Sequence, residues 1–311
     1  MTPNEHKLLL NPVLLGLRAI GAKRVAFWGK GDLVASGVMQ PAEWLRYKMA
    51  NAVDWWFPYT EESAAHLRRL GVSCGITPIG NAVDTSELRR ELSEFSDDCL
   101  RQSRNSIGIS SGPVGIFCGN LSANKDLDFL FAAAKRIHDA IPAFVLLVVG
   151  NGPLRQHVEI VATHERFIRY VGPRIGREKA LLLALSDVFL LPGAVGLAVL
   201  DSFAAGLPLL TTDGPKHGPE VNYLEAGLNG VISAHDVRTY ADAVVGLLQN
   251  PRGLARMRAE ALKSATQYSL ENMVENFRRG ILDCLQVRAR REQSELARAL
   301  AKAAQSRSGG D

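Results

Sequence analysis

Between Gly112 and Ser233, short apolar runs alternate with helix-like runs, and most of the apolar runs end in glycine or proline. This alternation constrains the fold more than anything else in the chain. Strands buried on both faces read as continuous apolar segments, and parallel neighbours need a crossover long enough to hold a helix. The predicted strands are Gly112 to Cys118, Phe144 to Val149, Phe167 to Val171, Val188 to Leu191, Leu207 to Thr211 and Gly230 to Ser233. Helices are predicted over Lys125 to Ala140, Leu154 to His164, Glu178 to Leu185 and Leu197 to Ala205. The first carries an apolar stripe at Leu127, Phe129, Leu130, Ala133 and Ile137, the spacing of a helix with one buried face. The pattern predicts an α/β fold with a doubly wound parallel sheet. Three further helices are expected over Asp236 to Gln249, Leu254 to Tyr268 and Leu270 to Arg288, then a charged helical extension from Ala289 to Asp311.

Two of the strand ends carry glycine loops that enter helices. One is Gly119-Asn120-Leu121-Ser122-Ala123-Asn124-Lys125, and the other is Gly193-Ala194-Val195-Gly196-Leu197. Backbone N–H groups at such a loop can meet a phosphate. Two such loops in one β/α unit suggest a nucleoside diphosphate held between them. Lys125 would stand in the first turn of its helix, where the helix dipole disfavours a cation, which tilts its reading towards a binding role. Asp201 would lie in the first turn of the helix after Gly196, where acids are common for structural reasons alone. Glu220 follows Pro219 in a loop, and its plain reading is a helix-start acid. His217 reads as an ordinary loop histidine.

The N-terminal third reads as a smaller β/α portion. Asn4 to Gly21 is helix-like, Arg24 to Gly31 is a strand entering a loop, and Trp44 to Ala52 is helix-like. Val53 to Tyr59 is a strand containing Trp55, Trp56 and Phe57, which read as core rather than as a ligand platform. Thr60 is the expected N-cap of a helix running to Leu70, with Ser63 at its third position. Ile76 to Ile79 is a further strand.

Length gives a soft expectation of two domains. The net charge of +4 is too mild to argue for nucleic acid; it is compatible with weak attraction to an anionic membrane surface or substrate. The four cysteines lie far apart with no CxxC spacing, so they read as reduced thiols of a cytosolic protein rather than a zinc site. Leu8 to Ile20 is apolar but short and interrupted by Asn11, Pro12 and Arg18, which suits a buried or interfacial helix better than a membrane span or a signal peptide.

Several segments, in order and each at a strand or helix end, resemble one family. They are Gly119-Asn120-Leu121 with Lys125, Val149-Gly150-Asn151-Gly152-Pro153, Gly193 through Asp201, Ala205-Gly206-Leu207-Pro208, and Pro219-Glu220. Together they resemble the donor-binding domain of GT-B glycosyltransferases of family 4. The family pattern is G-R-L-x-x-x-K, V-G-x-G-P, glutamate-x7-glutamate and A-x-G-x-P. The resemblance implies that Lys125 meets the departing diphosphate, that Asp201 takes the ribose hydroxyls, and that Gly196 and Leu197 offer backbone N–H groups. It also implies that Gly119 and Asn120 line the nucleotide, that Val171 edges the base, and that Glu220 lies near the cleft. Asn120 stands in the arginine position, and Gly193 stands where the first acid would be.

Before the crossover, Tyr59-Thr60-Glu61 and Asn81-Ala82-Val83-Asp84 resemble the second half of the family's acceptor domain. Trp28-Gly29-Lys30-Gly31 replaces a tryptophan-glycine-histidine-glycine stretch, which makes Lys30 a candidate phosphate or acceptor contact. The first half of that domain is not represented. Either the chain is N-terminally shortened, or 1–106 is a compact three-stranded unit that covers the other domain. The expected division is therefore a partial acceptor-side domain at 1–106, a donor domain at 107–268, and a crossover helix with a charged extension at 269–311. A sheet cut at its midpoint would leave apolar surface bare around Val25 to Trp28 and Val53 to Phe57, and self-association would follow.

The resemblance implies a retaining transfer of sugar from a nucleoside diphosphate to a saccharide or lipid-linked acceptor, in polysaccharide or glycolipid synthesis. The nucleotide sugar is a co-substrate; no metal or other cofactor is implied. The expected location is cytoplasmic, peripheral to the inner face of the membrane. The lost arginine, the lost acid and the missing half-domain also support a non-catalytic nucleotide-sugar-binding or partner subunit. A nucleotide-sugar epimerase fits less well, since its acidic and histidine sites are not evident.

Overall fold

The structure is a computed structural model that describes residues 2–3, 10–31, 41–109, 111–214 and 216–286. Residues 4–9 of the helix expected over Asn4 to Gly21, and the charged extension expected from Ala289 to Asp311, lie outside these residues. The chain divides into two compact units, 1–80 with 271–311, and 81–270.

The first unit holds a parallel sheet of four short strands in the order β1-β2-β3-β4. These are β1 (Thr2–Pro3), β2 (Ala26–Gly29), β3 (Trp55–Pro58) and β4 (Gly75–Ile76). Its helices are α1 (Leu10–Ala19), α2 (Pro41–Asn51) and α3 (Glu61–Arg69). Successive side chains of a strand face opposite sides, so β3 serves two cores. Trp56 packs with Val25, Phe27, Val53 and Leu67. Trp55 and Phe57 face the other way, against Ile79, Met273 and Phe277. Each indole is satisfied: Trp56 Nε1 donates to the Ala50 carbonyl at 2.9 Å, and Trp55 Nε1 to Thr77 Oγ1 at 2.9 Å. All three aromatic residues are core.

This corrects the expectation of bare apolar surface. Val25, Phe27, Val53, Trp55, Trp56 and Phe57 are all buried. The cover on one face comes from the far end of the chain, where residues 270–286 are helical. Phe277 packs as a tilted ring 5.1 Å from Phe57, and Gly280 lies against Phe57 and Thr77 so closely that a β-carbon there would collide with both.

Thr60 caps α3 as its sequence predicts, accepting from the Ser63 N–H at 3.1 Å. Thr60→Ala is expected to cost about 1 kcal/mol of stability, measurable as a lower urea midpoint at unchanged slope.

The second unit opens with two helices that the sequence reading did not anticipate, α4 (Ser86–Ser93) and α5 (Asp97–Ser106). It continues through β5 (Val114–Cys118), α6 (Leu127–Ala140), β6 (Val145–Val149), α7 (Arg155–His164) and β7 (Ile168–Gly172). Then come α8 (Gly176–Ala184), β8 (Val188–Leu190), α9 (Ala198–Ala204), β9 (Leu209–Thr212) and β10 (Gly230–Ser233), followed by α10 (Val237–Leu248) and α11 (Pro251–Gln267). The six strands form one parallel sheet in the order β10-β9-β8-β5-β6-β7. The chain winds outward from β5 to β7, then returns to the other side of β5 at β8. The carboxyl ends of β5 and β8 therefore border the switch point, where open α/β sheets bind ligands.

Two boundaries differ from expectation. The unit begins at Asn81 rather than at 107. Arg177 of α8 reaches both Glu91 and Glu94 of the α4 region at 2.7 Å, which ties that segment to the helices of the second unit. Lys125 is not in the first turn of α6. It ends a separate 3-10 turn, Ala123–Lys125, and Asp126 then adopts a left-handed backbone (φ +53°) before α6 starts.

Candidate functional site

The loops after β5 and β6 are pressed together backbone to backbone. The Gly119 N–H donates to the Val149 carbonyl at 3.0 Å, and the Leu121 N–H to the Asn151 carbonyl at 2.9 Å. A β-carbon at Gly150 would overlap the Gly119 carbonyl, and one at Gly152 would meet the Leu121 backbone and the Asn120 side-chain oxygen. Gly150 and Gly152 are thus required by close approach. Gly150 also donates to the Gly172 carbonyl at 3.1 Å, which brings Val171, at the end of β7, to the same rim of the sheet. Val171 additionally lines a cleft of about 510 Å³ between α7 and β7, away from the switch point.

Across the switch point, the loop after β5 meets the loop after β8. The Ala194 N–H donates to the Asn124 carbonyl at 2.8 Å, and the Lys125 amine donates to the Ala194 carbonyl. Gly193 lies on the backbone of Lys125, with no room for a side chain between them. Burial lowers the Lys125 pKa below the ordinary lysine value, with no compensating carboxylate among the described residues. An ammonium held this way gains from any anion brought to it.

Asp201, in the first turn of α9, is not a freely exposed acid. Lys179 of α8 binds its Oδ2 at 2.7 Å, with both side chains about three-quarters buried. The pair lies beside Cys118, the last residue of β5, whose thiol is pushed up to about 11 chiefly by burial. Cys118 is therefore a neutral thiol at neutral pH and adds no negative charge to the rim. Gly196 and Leu197 precede α9, and no side chain caps the helix.

Glu220 is buried in a 3-10 turn, Pro219–Tyr223. Asn81 donates to its Oε1 at 2.7 Å, and the Tyr223 hydroxyl donates to the Asn81 carbonyl at 3.0 Å. The turn also reaches the β8 loop, because the Gly218 N–H donates to the Val195 carbonyl at 2.7 Å. His217 accepts from the Val195 N–H at Nδ1 (3.0 Å), so its Nε2 carries the proton and donates to the Thr212 carbonyl at 2.7 Å. Both ring nitrogens are engaged with backbone.

Gly119, Asn120, Lys125, Gly193, Gly196, Leu197, Asp201 and Glu220 thus belong to loops and helix starts at the carboxyl end of one sheet. Lys30 is exposed after β2 and belongs to the other unit. Lys179, Asp126, Thr212 and His235 were not singled out from the sequence, though each bonds to one of these loops or its neighbours. Among the described residues, no group of three or more His, Cys, Asp or Glu could hold a metal ion, and no helix is long and apolar enough to cross a membrane.

The family model for glycosyl transferases group 1 matches residues 112–250, the stretch that builds the sheet and its switch point. This segment is similar to the group 1 glycosyl transferases. A GDP-mannose-dependent alpha-(1-6)-phosphatidylinositol monomannoside mannosyltransferase of Mycolicibacterium smegmatis is 25% identical over 268 residues, covering 80% of this chain and 66% of that protein. A D-inositol 3-phosphate glycosyltransferase of Rhodococcus erythropolis is 25% identical over 211 residues, covering 62% of this chain and 47% of its own length. The chain thus spans about half to two thirds of the length of these curated relatives. Among solved structures, Anabaena HepE in complex with UDP superposes with a TM-score of 0.69 at 15% identity, over 88% of this chain and 77% of HepE. That likeness carries the fold, which is of the GT-B class: two α/β units with parallel sheets, the larger with Rossmann strand order.

Proposed function

We propose that this chain acts as a group 1 glycosyl transferase, that it binds a nucleoside-diphosphate sugar at the β5–β8 switch point, and that it transfers the sugar to a saccharide or lipid-linked acceptor. The observation that carries this reading is Lys125. Its amine is half-buried, has a carbonyl as its one partner among the described residues, and stands between two glycine loops. In a retaining transfer of this kind, negative charge builds on the leaving β-phosphate. A fixed ammonium and oriented N–H groups stabilise that charge more in the transition state than in the ground state. Lys125 would supply the cation, while Gly119, Asn120, Gly196 and Leu197 would supply backbone N–H groups. Asp201 would take the ribose hydroxyls, Val171 would edge the base, and Gly193 would pass close to the donor with no side chain. Glu220 would bound the sugar, and Lys30 would serve the acceptor side. Protein cations answer the leaving charge, with the nucleotide sugar as co-substrate.

The names of two relatives support an acceptor class. One is named for phosphatidylinositol monomannoside and the other for D-inositol 3-phosphate, so a lipid-linked or phosphoinositol acceptor at the inner face of a membrane is the first to test. A thermal-shift panel of UDP, GDP and ADP with their sugars, followed by radiolabelled transfer from whichever donor binds, tests the reading. A shift with a matched nucleoside diphosphate and label in acceptor supports it. No shift with any nucleoside diphosphate overturns it.

One observation favours the second reading, a nucleotide-sugar-binding partner subunit. The place where the family has its first acid is occupied by Gly193 packed on the Lys125 backbone. Binding without transfer to any acceptor, restored only by a second protein, would select that reading.

A further inference from the structure

Thr212 is the last residue of β9 and is fully buried. Its hydroxyl donates to the Pro192 carbonyl at 2.8 Å, at the start of the loop after β8. A hydroxyl has one proton to give. The contact at 2.9 Å between this oxygen and His235 Nδ1 is therefore an imidazole N–H donating to it. The other nitrogen of the same ring faces the Asp126 carboxylate at 3.3 Å and donates to it when the ring carries both protons, and the ring stacks on Phe129 at 4.6 Å. On the backbone side, the Thr212 carbonyl accepts from His217, which in turn holds the Val195 N–H. One buried threonine thus joins two histidines, and through them both loops of the switch point.

Asp126 adds a second observation. Among the described residues it is the one non-glycine with a left-handed backbone, a conformation that costs any residue but glycine. It stands at the N-cap position of α6, yet its side chain makes no capping bond there. Its carboxylate is turned to His235 instead. The residue before it is Lys125. A tether on Asp126 therefore fixes the turn that aims the Lys125 amine.

We propose that His235 and His217 are positioning residues of the donor crevice. Acting through Thr212, they lock the loop that carries Lys125 to the loop that carries Gly193 and Gly196, so that the ammonium and the backbone N–H groups are set before a nucleoside diphosphate arrives. This rests on the reading of the crevice as a nucleoside-diphosphate site. Neither histidine touches the ligand. Their contribution is preorganisation, which lowers the ordering that binding would otherwise have to supply.

The test uses the full chain with His235→Phe, which keeps the ring stack and loses both hydrogen bonds. His235→Asn is the second variant, keeping a donor towards Thr212 and losing Asp126; it serves if the phenylalanine variant does not fold. Hydrogen exchange reads the lock without any ligand. Exchange at the amides of Lys125, Asp126, Ala194 and Val195 is expected to quicken by about tenfold or more, with the rest of the sheet unchanged. Calorimetry with UDP and GDP is expected to show about tenfold weaker binding of whichever one the unaltered chain takes. Asp126→Gly added to His235→Phe should recover part of that loss, because glycine holds the left-handed turn without a tether. A purely structural histidine would give no such rescue. Unchanged exchange in both loops, or an affinity loss that Asp126→Gly deepens, overturns the proposal. Faster exchange in a chain that binds neither nucleotide would sustain the lock and overturn the nucleoside-diphosphate reading.

Discussion

Lys125→Ala is expected to weaken UDP or GDP binding by about 1.5–3 kcal/mol, roughly 10- to 100-fold. The amine is half-buried between the two glycine loops, and it is held by a backbone carbonyl rather than a carboxylate. Nothing in that contact neutralises its charge, so a diphosphate would meet the whole of it. The arginine that the family places at Asn120 is absent, which leaves Lys125 a larger share of the work. The expectation extends to pH. Burial lowers the Lys125 pKa, so the free protein gives up this ammonium at a lower pH than an exposed lysine would. A bound diphosphate favours the ammonium, and affinity should fall as pH rises through the window below the ordinary lysine range. Stability runs the other way. The unfolded chain binds the proton more tightly in that window, so raising the pH through it favours the folded state. Calorimetry at neutral and alkaline pH checks both the loss and its slope. An affinity that is unchanged in Lys125→Ala would make the residue a structural tie between two loops.

The parallel sheet was legible because its strands are continuous apolar runs punctuated by glycine, and two-sided burial demands that composition. The loop after β6 was legible for the same reason: Gly150 and Gly152 stand where backbones touch. Helices α4 and α5 were not, because neither has a buried residue and polar helices carry no apolar stripe. The cover over Trp55 and Phe57 was hidden by distance along the chain, since Phe277 and Gly280 supply it from more than two hundred residues away. The partners within the site were hidden in the same way. Lys179 reads as a surface lysine of an ordinary helix, yet it holds Asp201. Asn81 reads as a turn residue, yet it holds Glu220. Asp126, Thr212, His217 and His235 form a network that exists only once β9 and β10 lie beside β8. No local pattern marks any of them.

Gly193→Glu would restore the acid that the family resemblance places there, and it is expected to damage the site rather than repair it. A β-carbon on residue 193 would collide with the carbonyl carbon, the carbonyl oxygen and the Cα of Lys125. These are backbone atoms, which cannot swing aside as the tip of a long side chain can. The same segment is held by Ala194 on both sides, through its N–H to the Asn124 carbonyl and its own carbonyl to the Lys125 amine. Any side chain at 193 must therefore push the Lys125 turn off the sheet. Overpacking of this kind costs about 1–3 kcal/mol, and the cost falls on the loop that aims the cation. Even Gly193→Ala should lower the melting temperature by about 2–10 °C and lose at least roughly tenfold in UDP or GDP affinity. The glutamate variant should lose binding altogether. Differential scanning calorimetry and titration of the two variants side by side decide the matter. Unchanged melting together with faster sugar transfer in Gly193→Glu would show that the loop yields, and that the missing acid was the chain's deficiency.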